Sequence, residues 1–198
     1  MILAFVFNIQ WFHRIYGLAH HYAWLDLAGI FFAEYLAYVL ALVFCVLLVY
    51  PKAKRIPQSA MVVTATFAAL VSRLVVKSIF LIFYAEPRPF VLLATKVQPL
   101  IQGPAGENLQ SFPSGHALFF FAIAMVVFLF NKKWGVVFFV SAVLMGIARV
   151  YVGVHWPLDI IVGAMGGCIT GVLSYLLYKG YKDIIDGWIG AVFAMLKI

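Results

Sequence analysis

Apolar residues recur along this chain in runs too long and too unbroken to be the buried stripes of a soluble fold. Five such runs lie at 27–50, 59–84, 114–130, 134–152 and 158–178, and few charges interrupt them. A helix needs about 20 predominantly apolar residues to cross the hydrocarbon core of a bilayer. Hydrocarbon offers no partner to an open backbone group, so each run is expected to be helical. The pattern predicts an all-α, polytopic transmembrane bundle formed by one domain over residues 1–198. Residues 1–26 mix aromatic and polar positions, among them Asn8, Gln10, His13 and Arg14, and predict an interfacial helix or a first span. Residues 183–198 predict a second amphipathic segment, so five to six spans are expected.

The breaks between runs are unequal. Most are short, but 85–113 is long and carries Pro87, Pro89, Pro99, Gly103, Pro104, Gly106 and Pro113. Connections of this length are uncommon and often functional. Within the last run Gly163, Gly167 and Gly171 recur every four residues and predict a flat face for close helix packing.

Composition excludes the soluble classes. Hydrophobic residues make up 66% of the chain and charged residues 11%, against about 45–50% and about 25% in soluble proteins. The formal charge of +7 belongs to basic membrane-flanking loops and an anionic ligand, with no nucleic acid implied. Lys52, Lys54, Arg55, Lys132, Lys133, Lys179 and Lys182 fall on one side of the five spans, and the positive-inside rule places them in the cytoplasm. The 85–113 connection and the turn at 152–157 then face outward together. Cys45 and Cys168 both sit in apolar runs and suggest no disulfide. The start MILAFVF has no basic leader, and no cleaved signal peptide is expected.

Three polar clusters come to this outward side: Glu86-Pro87-Arg88-Pro89, Pro113-Ser114-Gly115-His116, and Arg149, His155 and Asp159 spaced R-x5-H-x3-D. Arg73 and Lys77 precede the first on its span. Arginine and lysine hold phosphate oxygens. The free N–H groups where Ser114 and Gly115 open a helix form an anion site. A histidine paired with a carboxylate is a familiar nucleophile or base. A second histidine, His116, is placed to protonate a leaving oxygen. The combination predicts phosphoryl transfer through a phosphohistidine.

These motifs, Arg88-Pro89, Pro113-Ser114-Gly115-His116 and Arg149 to Asp159, resemble the three signatures of the type 2 phosphatidic acid phosphatase superfamily. The stretches EPRPF, SFPSGHA, RVYVGVHWPLDI and DLAGIFFAEYLAYVL resemble its bacterial undecaprenyl-diphosphate phosphatase branch, the one associated with bacitracin resistance. The resemblance implies removal of the terminal phosphate of the polyprenyl diphosphate carrier lipid, in recycling that carrier for the cell wall. It implies a multi-pass protein of the bacterial inner membrane, with the site facing the periplasm or exterior. His155 would be the nucleophile, Asp159 its partner and His116 the general acid, while Lys77, Arg88, Ser114, Gly115 and Arg149 would hold the phosphate. No metal and no cofactor are expected, and no partner beyond the lipid substrate and membrane lipids. The alternatives are a phosphatase of phosphatidylglycerophosphate, phosphatidate or lipid A, and a non-catalytic lipid-phosphate-binding protein.

One departure concerns the first signature. The superfamily pattern puts its lysine at the position held here by Leu81, whereas this chain has Lys77, one turn deeper. A helix turns about 100° per residue, so both positions lie near one face. Glu34 and Lys77 lie at matched depths below the outer boundary, and an unpaired charge there is costly. The expectation is that Glu34 orients Lys77 towards the phosphate, with Arg73 as a competing partner for Glu34.

Overall fold

The computed structural model describes residues 2–49, 55–84, 86–102 and 110–196. Lys52, Lys54, Gly103, Pro104, Gly106 and Glu107 lie outside the described residues. Helix α1 is Ile2–Tyr16. Ala23–Ile30, a π-helical Phe31–Tyr35 and Leu36–Val49 run on as one helix, α2. Arg55–Leu70, a π-helical Val71–Val76 and Lys77–Phe83 likewise form α3. Then come the single turn α4 (Pro89–Leu92), α5 (Gly115–Phe130), α6 (Lys132–Tyr151), α7 (Pro157–Gly180) and α8 (Lys182–Leu196).

The five apolar runs thus become α2, α3, α5, α6 and α7, within a few residues of the expected bounds. Four are long and apolar enough to cross a bilayer, and α5 is a shorter apolar helix. The shorter one sits at the centre. Ten of its 16 residues are buried, which is why it is apolar all round and shows no stripe. Peripheral helices instead turn large side chains outward: Tyr38 is 73% and Phe83 81% exposed, surfaces that only lipid can cover.

The glycine spacing in α7 performs the packing expected of it. A Cβ on Gly163 would lie 2.9 Å from the Ser114 carbonyl oxygen, on Gly167 2.5 Å from that of Leu118, and on Gly171 2.9 Å from that of Ala122. Three glycines therefore let α7 lie on the backbone of α5 along three turns. This contact fixes Ser114, at the head of α5, beside the head of α7. The Ser114 amide donates to the Asp159 carbonyl oxygen at 3.0 Å.

The N-terminal segment is a helix docked by one face. Phe12 is fully buried, stacked on Tyr16 at 5.2 Å and packed against Trp156 at 5.0 Å between ring centroids. The Asn8 side-chain oxygen accepts from the Leu158 amide at 2.9 Å, which satisfies one orphan donor at the start of α7. The opposite face of α1 presents Val6 and Trp11 outward. At the other end of the chain, α8 keeps an outward stripe of Ile184, Trp188, Val192 and Met195. Its Asp186 pairs with Lys182 at 2.6 Å and accepts from the Tyr178 hydroxyl at 3.2 Å.

Candidate active site

The last turn of α6, the turn 152–156 and the first turn of α7 carry the third signature. Gly153 has φ of +84°, and a Cβ there would approach the Tyr16 ring to 3.0 Å. Only glycine makes this turn without strain. The turn leaves His155 just ahead of α7, whose first turn brings Asp159 back beneath it. His155 Nδ1 stands 3.1 Å from Asp159 Oδ2. The same oxygen accepts from the Trp156 amide at 2.8 Å and from the Ser111 hydroxyl. With Nδ1–H given to the carboxylate, the Nε2 lone pair is free to face outward from the pair.

Arg88 approaches that nitrogen. Its Nη1 lies 3.3 Å from His155 Nε2 and donates to the Val154 carbonyl at 2.9 Å. The long connection holds Arg88 there: Trp156 Nε1 donates to the Pro87 carbonyl at 2.9 Å, and the Ser111 amide to that of Glu86 at 2.7 Å. Burial, reinforced by the Arg149 and Arg88 charges, holds the His155 imidazole well below its ordinary pKa. The ring is therefore neutral near pH 7, the form with a nucleophilic lone pair. Burial also raises Glu86, opposed by its hydrogen bond from Asn8.

Arg149 comes from α6. One guanidinium nitrogen donates to the Ala33 carbonyl at 3.5 Å, while its buried Nε has no hydrogen-bond partner among the described residues. A buried N–H without an acceptor is costly, and a bound anion supplies one. At the head of α5, the Ser114 hydroxyl accepts from the Ala117 amide at 3.4 Å as an N-cap. His116 stacks over Phe120, ring centroids 6.5 Å apart. The charges of Arg149, Arg73, Lys77 and Arg88 all act on it. A Cβ on Gly115 would meet the Arg73 guanidinium, the end of a flexible side chain, and lie 3.5 Å from Lys77 Cδ.

The structure thus brings His116, His155, Asp159, Arg88, Ser114, Gly115, Arg149 and Lys77 together. It does not bring Glu34 to Lys77. Among the described residues no ion pair joins them; the charges acting on Lys77 include Arg73, Arg88, Asp159 and Arg149. Glu34 acts on Arg149 instead. Equal depth on two helices says nothing of azimuth, and π-helical turns at Phe31–Tyr35 and Val71–Val76 rotate both residues away from the direction an unbroken α-helix gives. Two residues gain in weight. Ser111 lies two residues ahead of the second signature, and Arg73 stood with Lys77 ahead of the first one and as a rival for Glu34, but not among the residues expected to hold the phosphate.

A neutral imidazole aimed by a carboxylate, among guanidinium groups that can hold phosphate oxygens, suits attack on phosphorus. Placed at one end of membrane-crossing helices, it defines a membrane lipid phosphatase. Residues 60–183 match the PAP2 superfamily, and the chain belongs to that family. It is 36% identical over 168 residues to the bacitracin transport permease protein BcrC of Bacillus licheniformis, covering 85% of this chain and 79% of that one. It is 29% identical over 185 residues to the undecaprenyl-diphosphatase BcrC of Bacillus subtilis, covering 93% and 89%. The crystal structure of Aquifex aeolicus LpxE is similar with a TM-score of 0.64 and 31% identity, over 84% of this chain and 93% of that one.

Proposed function

We infer that this protein removes the terminal phosphate of undecaprenyl diphosphate. The observation that carries the reading is the His155–Asp159 pair, buried, neutral and facing Arg88. His155 Nε2 attacks the terminal phosphorus in line with the bridging oxygen. The phosphorus–oxygen bond to the lipid phosphate breaks as the nitrogen–phosphorus bond forms. His116 gives a proton to the departing oxygen, and Asp159 stabilises the cationic ring. Water then attacks the phosphohistidine, gives its proton to His116 and releases inorganic phosphate. Arg88, Arg149 and Lys77 offset the charge that develops on the transferred group.

Two features support a lipid with a long apolar tail. A cleft of about 290 Å³ lined by Tyr38, Leu40, Phe44, Thr66, Phe120 and neighbouring apolar side chains lies below the site. Phe120 is the ring on which His116 stacks, so a headgroup at the histidines places the first isoprene units in that cleft. The Bacillus subtilis relative, over 93% of this chain, is named for the same substrate. The site faces the outside of the cell, because the exposed Lys132, Lys133, Lys179 and Lys182 occupy the other ends of the spans.

The test is phosphate release by purified protein from undecaprenyl diphosphate, undecaprenyl phosphate, phosphatidylglycerophosphate and phosphatidate. Turnover of the diphosphate above the others is expected; a preference for a diacylglycerol phosphate refutes the assignment. For orientation, cysteines at Lys96 and Lys132 should react with an impermeant thiol reagent in intact cells at 96 only. Val97 is unsuitable for such labelling, being 3% exposed against Gly153.

A further inference from the structure

We propose that Arg73, reaching over Gly115 beside His116, binds the second phosphate of a lipid diphosphate, the one that stays on the lipid, and so selects diphosphates over monophosphates. This rests on the phosphatase reading above. The first support is cost. Arg73 lies ten residues before Phe83, the outer end of α3, roughly 15 Å along the helix at 1.5 Å per residue. Among the described residues no carboxylate pairs with it. An arginine at such depth is costly without a partner, and its long side chain is expected to reach towards the polar boundary. It does so towards the head of α5, where its guanidinium occupies the space that a Cβ on Gly115 would need.

The second support is the order of the cations across the site. The charges acting on His155 include those of Arg149, Arg88 and Lys77. Those acting on His116 include Arg73. Arg88 stands at the nucleophile, its Nη1 3.3 Å from His155 Nε2, and Arg73 stands over Gly115, next in the chain to the histidine that serves the leaving group. A lipid monophosphate leaves as an alcohol, which needs a proton and little else. A lipid diphosphate leaves as a phosphate, which carries about two further negative charges at neutral pH. A fourth cation on the leaving-group side matches the second case.

The charge balance agrees. Four cations (Arg73, Lys77, Arg88 and Arg149) act at the two histidines; against them stand Asp159, which acts on Lys77 and Arg88 but is held by His155, Trp156 and Ser111, Glu34, which acts on Arg149, and Glu86, which acts on Asp159. Arg149 Nε is buried without an acceptor among the described residues, and a phosphate oxygen would supply one.

The test compares two substrates with one tail, farnesyl diphosphate and farnesyl phosphate, on purified wild-type protein, Arg73→Gln and Arg73→Lys. The diphosphate-to-monophosphate ratio of kcat/KM should fall on the order of tenfold or more in Arg73→Gln, the worth of one charge-assisted hydrogen bond. Arg73→Lys should recover part of it. Methylenediphosphonate should inhibit the wild type on the order of tenfold better than inorganic phosphate, and this margin should shrink in both variants. Equal losses on the two substrates, or an unchanged ratio, overturn the role given to Arg73 while leaving the phosphatase intact. A wild type that hydrolyses neither substrate overturns the phosphatase reading itself. Should Arg73→Gln not fold, Arg73→Lys and the wild-type inhibitor margin decide alone, and no margin overturns the proposal.

Discussion

The two sides of this site are built differently. On one side, His155 and Asp159 are closed in by Trp156 and by Arg88 and Ser111 of the long connection. His155 has contacts at both ring nitrogens, and Asp159 Oδ2 accepts from an imidazole, an amide and a hydroxyl. On the other side, Arg73 and Lys77 on α3 have no carboxylate partner among the described residues and lie over a bare glycine. The first side has its geometry before substrate arrives. The second is a pair of cations that only an anion completes. Preorganised dipoles at the reacting atoms lower the barrier to the chemical step, whereas binding groups remote from it set which substrate is accepted.

That contrast fails at once if the closed side proves dispensable. His155→Ala should lower kcat by at least about a thousandfold, as removal of a covalent nucleophile does. Single-turnover phosphate release shows this, with inhibitor binding retained as proof of folding. Retained turnover would move the nucleophile elsewhere. Next comes Ser111→Ala. It takes one of three donors from Asp159 Oδ2 and a contact 3.3 Å from His155 Nδ1, and should cost about ten- to a hundredfold in kcat with little change in KM. A loss confined to KM would mean that Ser111 touches substrate.

The same closure predicts a pH profile. Burial and the neighbouring Arg149 and Arg88 hold His155 well below its ordinary 6.5, and in the proposed mechanism the neutral ring is the reactive one. The acid limb of kcat/KM, which reports the free enzyme, should therefore have its midpoint below pH 6.5, while the alkaline limb belongs to His116, which must carry the proton it gives to the departing oxygen. Bound phosphate is an anion beside the ring and favours its protonation, so the acid limb of kcat should lie at higher pH. Folding stability follows the same sign. Between the lowered value and 6.5 the unfolded chain binds more protons, so the His155 contribution is complete above 6.5 and is lost as pH falls through that window.

Much of the closed side was legible in the chain. Hydrocarbon enforces helices and their length, so alternation alone brought Arg88, His116 and His155 to one membrane face. The i, i+4 spacing of His155 and Asp159 across Pro157 then placed the carboxylate under the imidazole. The open side was legible in its residues but not in their directions. Arg73, Lys77 and Glu34 stand on helices interrupted by π-helical turns, and a 3.6-residue period carries no mark of such an interruption. Ser111 was missed for another reason. It lies in a proline-rich connection whose path depends on the bridge between Pro87 and Gln110 and on the Trp156 side chain, both tertiary contacts.

A smaller effect sharpens the open side. Gly115→Ala places a methyl group where the Arg73 guanidinium sits, beside Lys77 Cδ. Arg73 must shift, while the His155–Asp159 pair does not touch Gly115. The expected outcome is a several-fold rise in KM for lipid diphosphate with a smaller change in kcat, the signature of a binding group displaced. A fall in kcat alone would show that the head of α5 belongs to the preorganised side.

The smallest effect is expected at Glu34, the residue whose depth suggested a partner for Lys77. Its charge acts on Arg149, but Arg149 is 7% exposed and already held through the Ala33 carbonyl at 3.5 Å. Orientation of that guanidinium therefore does not hang on the carboxylate. What remains is a negative charge set near a site that binds anions. Like charges disfavour each other, so removing one should tighten the ligand. Glu34→Gln is expected to lower the inhibition constant for inorganic phosphate by about two- to threefold, the scale of a weak charge interaction, while kcat stays within about threefold. Product-inhibition curves at fixed ionic strength measure both. Should the inhibition constant instead rise on the order of tenfold, a charge-assisted contact will have been lost, and Glu34 will have to be counted among the groups that hold Arg149 on the closed side.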